Sequence, residues 1–405
     1  MNEYIKKFKT APMMWILVIV LLAYFPTALA SAPETDKRAI SVELAIDKGK
    51  IGIQASISML TPHTSSQFAQ KTEIVSADKP TLSEALRQIS INVGKRVALS
   101  HVDLIIISQE LAKENLVTTF DNLLRAYDLS NDTIIIVTNK TAKEMLEASQ
   151  KLQSATGIPL YQILLQNKVY SFFSDSSLET FLKGFYSYDG ASVLRYVKLT
   201  NDPNLGISPS GSSETPPINS SPQGSSSKSI DNMFISCTFS AGLFKNGILV
   251  DELNQEHIRG LNLLAKNISQ GSLSIKDPNY SLIIPKKDVK LNAKFQNLQP
   301  VLEVTLRLDS RLEEDNNKHT QDYSTLASNT NFVNQKVNQK ISNKIKELFF
   351  DAFKICKKHN ADLLAFTQMF KTLPEYNNFV NSLQSDDYLL NHLVFKISTN
   401  VVQID

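Results

Sequence analysis

Polar and apolar residues alternate from Ile40 to Met59 (ISVELAIDKGKIGIQASISM), and this period of two predicts two half-buried strands that turn at Asp47-Lys-Gly-Lys50. The period then changes. Leu82, Leu86, Ile89 and Val93 fall on one face of a helix over 81–94, with Ser83 as its cap. HVDLIIIS (101–108) and TIIIVT (133–138) are unbroken apolar runs, as expected of strands covered on both faces. A helix over 109–126 carries Leu111, Leu116, Phe120, Leu123 and Leu124 as candidate core, and a third helix covers 140–153. A shorter helix over 175–185 and a strand over 193–199 end this half. Helices alternating with buried strands after an opening hairpin predict a mixed α/β fold, with mixed sheets and packed helices.

Residues 201–230 (NDPNLGISPSGSSETPPINSSPQGSSSKSI) are of another kind: rich in Ser, Pro and Gly, poor in large apolar residues. Such a composition cannot bury a core and predicts a flexible spacer. A second unit follows. Residues 233–243 and 248–250 predict a hairpin, and Asn246-Gly247 between them fits a type I′ turn. A helix over 254–265, strands over 270–276, 280–284, 286–294 and 300–309, helices over 325–358 and 361–373, and a final strand over 390–402 complete it. The expected organisation is a leader or anchor (1–30), an N-terminal α/β domain (31–155), a smaller domain or extension (156–200), the spacer (201–230) and a C-terminal α/β domain (231–405).

Charge narrows the function classes. The net charge is +2. Lys6, Lys7 and Lys9 against Glu3 account for it, leaving 39 basic and 39 acidic residues beyond residue 30. A balanced body offers no electrostatic footprint for nucleic acid. The three lysines precede the apolar run Met13–Phe25, Pro26 breaks that run, and Ala28-Leu29-Ala30 places small residues where a signal peptidase cuts. The run is shorter than the ~20 residues of a bilayer span. Cleavage between Ala30 and Ser31 is the expected processing. Retention of residues 11–30, nearly free of charge, as an anchor is the alternative. Either way the body is extracytoplasmic.

Candidate chemistry is sparse. Cys237 and Cys356 read as buried small apolar residues, with a bridge as the other reading. His359 and Asp362 share metal-ligand spacing, but one pair falls short of the three or four ligands zinc takes. No nucleophile elbow and no phosphate loop is present. His101 starts a buried strand and reads as structural. Glu256, His257 and Arg259, at the start of a helix, could meet a partner or pair within the domain. The acceptor patterns at Asn131, Asn139 and Asn267 match by chance in an Asn- and Ser-rich chain. No cofactor is expected. An extracytoplasmic wall or cortex hydrolase would need convergent acid and base groups. A free-standing small-molecule binding protein is the third class considered.

The run LSEALRQISINVGKRVALSHVDLIIISQELAKENLVTTFDNLLRAYDLSNDTIIIVTNKTAKEMLEA resembles the first half of the C subunits of spore germinant receptors, the Ger(x)C family. FSAGLFKNGILVDELNQEHIRGLNLL, VKLNAKFQ and KIKELFFDAFKICKKHNADLLAFTQMFKTLPEYN follow in the family's order, the last with its Asp-hydrophobic-hydrophobic-x-Phe element at Asp362–Phe366. The resemblance implies a three-domain, non-catalytic α/β subunit on the outer face of the spore inner membrane. It implies A-type and B-type membrane subunits as partners in nutrient sensing. Family members are typically lipoproteins with a Leu-x-x-Cys box. Here Leu29-Ala30-Ser31-Ala32 has that shape with Ala32 at the Cys place, so this chain lacks the thiol a diacylglycerol would modify.

Overall fold

The computed structural model describes residues 38–61, 71–127, 129–169, 176–202, 207, 233–265, 271–276, 279–315, 335–383 and 388–403. The expected leader, most of the spacer and the start of the long helix expected over 325–358 lie outside these residues.

The opening alternation forms β1 (Arg38–Lys48) and β2 (Ile53–Thr61), antiparallel partners, and β3 (Lys71–Lys79) adds to β2. The turn falls at 49–52, two residues later than the sequence suggests, because Asp47 has other work. It is buried, and its carboxylate accepts from the Ala142 and Lys143 amides at 2.6 and 2.9 Å. β4 (Arg96–Ala98) pairs with β1 in parallel. The apolar runs become β5 (Leu104–Ser108) and β6 (Ile134–Thr138), every residue buried. With β7 (Ala191–Thr200), β1, β5 and β6 form the parallel centre of a sheet. Helices cover both faces: α1 (Leu82–Val93), α2 (Gln109–Ala112), α3 (Leu116–Ala126) and, later in the chain, α6 (Leu178–Phe185) on one, and α4 (Ala142–Thr156) and α5 (Leu160–Val169) on the other. Two apolar clusters result, one on each face, around Ile105/Ile107 and around Ile106/Ile136.

Local sequence explains most helix ends. Thr81, not Ser83, caps α1, accepting from the Glu84 amide, and Gly94 ends it at φ 71°. Thr141 and Glu144 form a reciprocal capping box on α4. The helix expected over 109–126 is two helices, because Asn115 caps a new start at Leu116.

The sheet does not stop at β7. After the spacer, β8 (Phe234–Lys245) pairs antiparallel with β7, and β9 (Ile248–Leu253) with β8, giving the order β3-β2-β1-β5-β6-β7-β8-β9. α7 (Gln255–Leu264) then leads to a second sheet, β10-β11-β12-β13: β10 (Gly271–Lys276), β11 (Asn279–Gln296), β12 (Gln299–Asp315) and β13 (Val394–Gln403), the last parallel to β12. The strands expected over 280–284 and 286–294 are one strand with a register shift between Ile283 and Lys286. One face of this sheet packs on α8 (Gln335–Lys358) and on the short helices α9 (Phe366–Lys371), α10 (Tyr376–Ser382) and α11 (Leu389–His392). Phe395 of β13 meets the rings of Phe349, Phe350, Phe353 and Phe366 at 4.8–5.9 Å.

α7 and α8 tie the two sheets together. Ala241, Leu243 and Leu253 of the first sheet share a cluster with Ile258, Leu261, Ala352 and Cys356. The helices approach closely at Gly260, where a Cβ would lie 2.2 Å from the Leu348 carbonyl oxygen. Both cysteines are free thiols in separate clusters, and burial pushes Cys237 up to about 11 and Cys356 up to about 12.

Candidate functional site: a charged seam between the two sheets

The seam is assembled by a turn. Lys245 and Ile248 are paired, so Asn246 and Gly247 alone make the β8–β9 loop, with φ of 52° and 77°. That is the type I′ turn expected of Asn-Gly. Its exposed backbone groups are used. The Asn246 amide donates to the Gly190 carbonyl at 2.7 Å, and the Gly247 carbonyl accepts from the Leu116 amide at 3.0 Å. Gly190, at φ 58°, has no room for a side chain, since a Cβ would meet Asn246 Oδ1.

This grip sets Lys245 beside the loop after α6 and the loop after α8. Its ammonium donates to the main-chain oxygens of Asp189 and Asn360, joining the two loops. Burial pulls Lys245 below the usual lysine value, against the opposing charges of Asp189 and Asp362. Asp362, 6% exposed, accepts from the Thr367 amide at 2.6 Å through Oδ2, which caps α9; Oδ1 is buried. Burial raises Asp189 to about 6, and the Asp362 charge adds to the shift while Lys245 and Lys371 oppose it. The Lys371 ammonium sits over the Tyr188 ring. Burial also lifts the neighbouring Tyr376 to about 12, with the charges of Tyr188 and Asp189 adding to it.

A second ion group lies along the same helix. Asp251 of β9 takes His359 Nε2 at 2.8 Å and Lys358 Nζ at 3.2 Å. Burial pushes Asp251 up, but His359, the Glu252 amide and Lys358 outweigh it, leaving the carboxyl below its ordinary value. His359 thus pairs with Asp251, 108 residues away, rather than with Asp362 on its own segment.

The other sequence candidates stay local. Glu256 Oε1 and Arg259 Nη1 pair at 2.8 Å within α7. His257 completes a capping box, its amide donating to Asn254 Oδ1 and its Nδ1 accepting from the Asn254 amide. Burial lowers its pKa against the surrounding carboxylates. His101 is exposed, ahead of β5 rather than in it. Ala30, Ser31 and Ala32 lie outside the described residues.

The seam's charges point into backbone, helix ends and one another. Among the described residues no group of three or more His, Cys, Asp and Glu could hold a metal ion. Two open grooves have none of the seam's carboxylates in their lining. One of about 400 Å³ is lined mainly by Leu264, Leu291, Leu363, Leu364 and Met369. The other, of about 550 Å³, lies among Asn297, Leu298, Phe379, Leu383 and His392. The arrangement is suited to holding two units together. Sequence reasoning reached the turn and Asp362; Asp189, Lys245 and Asp251 carry no local signal, because their partners are distant in the chain.

Residues 31–199 match the family model described as the spore germination protein N-terminal domain, and residues 240–401 match spore germination B3/GerAC like, C-terminal. No curated protein matches. A solved structure, "Crystal Structure of the GerBC protein", is similar in fold, with a TM-score of 0.51 at 13% identity over 89% of this chain and 97% of that one. The two models in order, filling both sheets, place the chain in the Ger(x)C family of spore germinant receptor C subunits.

Proposed function

We propose that this chain is the non-catalytic C-type subunit of a nutrient germinant receptor, held at the outer face of the spore inner membrane. It works by binding A-type and B-type membrane subunits and keeping the receptor assembled. The observation that carries this reading is the ordered match to both family domains, which together cover nearly all of the described body. The seam supports it: charged groups are spent on fixing two units relative to each other, which suits a subunit that presents rigid faces to neighbours. Without a thiol at Ala32, attachment falls to the apolar segment of residues 11–30 or to the partners.

The test is affinity capture of the tagged chain from solubilised spore inner membranes, with mass spectrometry of what comes with it. Recovery of A- and B-type subunits, together with slowed nutrient germination in a deletion strain, is the expected result. Recovery of neither, with normal germination, overturns the proposal. The mature N-terminus distinguishes the attachments: Ser31 leaves the partners as the tether, and Met1 leaves the apolar segment of residues 11–30.

A further inference from the structure

We propose that the open face of the β10–β13 sheet docks on an anionic phospholipid surface. The register of β11, β12 and β13 defines that face. Leu302, Val304, Leu306 and Leu308 point to the core, so the residues between them point outward, as do their cross-strand partners. Outward on the three strands stand Lys286, Lys290, Lys294, Arg307, Arg311 and Lys396. Against these six stand Asp288, Glu303 and Asp309, so among the outward residues whose side chains are described, basic groups outnumber acidic ones.

Two of the acids are paired on the face itself. Lys294 pairs with Glu303 at 2.5 Å, Arg307 with Asp309 at 3.3 Å, and Asp288 lies opposite Arg307 in the register. Lys286, Lys290 and Lys396 are all exposed. In a body whose charges balance overall, basic residues gather on the open face of this sheet.

The chemistry of the plane selects the occupant. A protein partner of comparable area takes aromatic or aliphatic anchors into desolvated pockets. Here Phe295 and Phe395 point to the core, and the large exposed apolar residue of these strands on this face is Ile283, at one end. Dispersed lysines on long stems without an apolar centre match a plane of dispersed headgroup charge, which attracts each nearby basic residue by about 1 kcal/mol. The inference deepens the membrane-side placement proposed above and rests on it. Its test needs neither partner subunit, so it can fail while the capture experiment succeeds.

The experiment floats the purified full chain with vesicles of phosphatidylcholine alone and of phosphatidylcholine with about one-third phosphatidylglycerol, at low and high salt. The neutral vesicles measure whatever the N-terminal apolar segment contributes by itself. The expected result is a preference for the anionic vesicles that high salt removes, and that falls at least tenfold in Lys286→Gln/Lys290→Gln/Lys396→Gln, given about fivefold per basic residue. Circular dichroism checks that the variant is folded. Lys354→Gln, an exposed α8 lysine on another face, should leave the preference unchanged. No anionic preference, or an equal loss in Lys354→Gln, overturns the proposal. So does a triple variant that floats normally yet loses protein partners, an outcome that would assign the face to an acidic protein.

Discussion

Glu43 should make the stability of the first sheet fall as pH rises through neutrality. It sits on β1 between β2 and β5, 4% exposed, with one carboxyl oxygen accepting from Ser149 Oγ of α4 at 2.7 Å. Burial raises it from 4.5 to about 7; Ser149 opposes the shift, and the Asp103 charge adds to it. In the unfolded chain the carboxyl returns to its ordinary value, so between the two values the folded state holds more proton. Stability from this group is therefore fully present below about pH 4.5 and is lost as pH rises through about 7. At about 1.4 kcal/mol per unit, the loss is about 3 kcal/mol. Glu43→Gln keeps an acceptor for Ser149 and removes the ionisation. The assay is urea unfolding by circular dichroism from about pH 4 to about pH 8, with hydrogen exchange of the β1 and α4 amides as a local reading. The wild-type curve should drop across that window. The variant's should be flatter by that amount and should cross above the wild type near the top of it. Parallel curves would refute the reasoning, since Glu43 would then titrate alike folded and unfolded.

Three further outcomes follow from packing and capping. Gly260→Ala gains helix propensity but drives a Cβ to within 2.2 Å of the Leu348 carbonyl oxygen, so it should destabilise by about 1–3 kcal/mol; a raised melting temperature would contradict the close α7–α8 contact. Phe395→Ala removes the ring that four other phenylalanines meet and should cost about 3 kcal/mol or more in thermal unfolding, with Phe395→Leu costing less than half of that. Asp362→Ala strips α9 of the acceptor for the Thr367 amide, at about 1–2 kcal/mol, and removes a like charge from Asp189. The Asp189 carboxyl, followed by ¹³C titration, should then ionise below about 6; an unchanged midpoint would separate the two carboxylates.

The elements that were legible in the sequence are those whose cause is local. β1 and β2 follow from alternation, β5 and β6 from apolar runs, and the β8–β9 loop from Asn-Gly. The elements that were not have causes elsewhere in the chain. β3 (KTEIVSADK) is polar in composition and exists because β2 offers it a nine-residue register. α5 (LYQILLQNKV) has apolar residues spread around its circumference, without the one-sided stripe that marks a surface helix. The helix expected over 361–373 begins only at Phe366, because Asp362 turns its carboxylate to the Thr367 amide and Ala365 adopts φ 55°. Asp47 reads as a turn residue until the amides of α4, nearly a hundred positions later, claim it. The seam has the same character: Lys245 spans 56 residues in one direction and 115 in the other.

The two family domains meet inside a single sheet, and that has a mechanical consequence. The N-terminal match ends at residue 199 and the C-terminal match starts at residue 240, yet β7 and β8 are hydrogen-bonded neighbours. The β8 side chain Phe244 lies edge-on to Phe181 at 5.3 Å, and Phe181 to Phe120 at 5.5 Å, so the second unit finishes the core of the first. On its other face the same hairpin carries Leu243 and Leu253 against α7 and α8, the helices that support the second sheet. A force applied to the face of either sheet is therefore transmitted through a β-ladder and two packed helices. Backbone ladders and close-packed interiors yield little before they break. A hinge between the sheets would have to open the Lys245 and Asp251 contacts and slide α7 over α8 at Gly260. The β8–β9 hairpin, paired with β7 on one side and packed on α7 and α8 on the other, is what makes the halves one body.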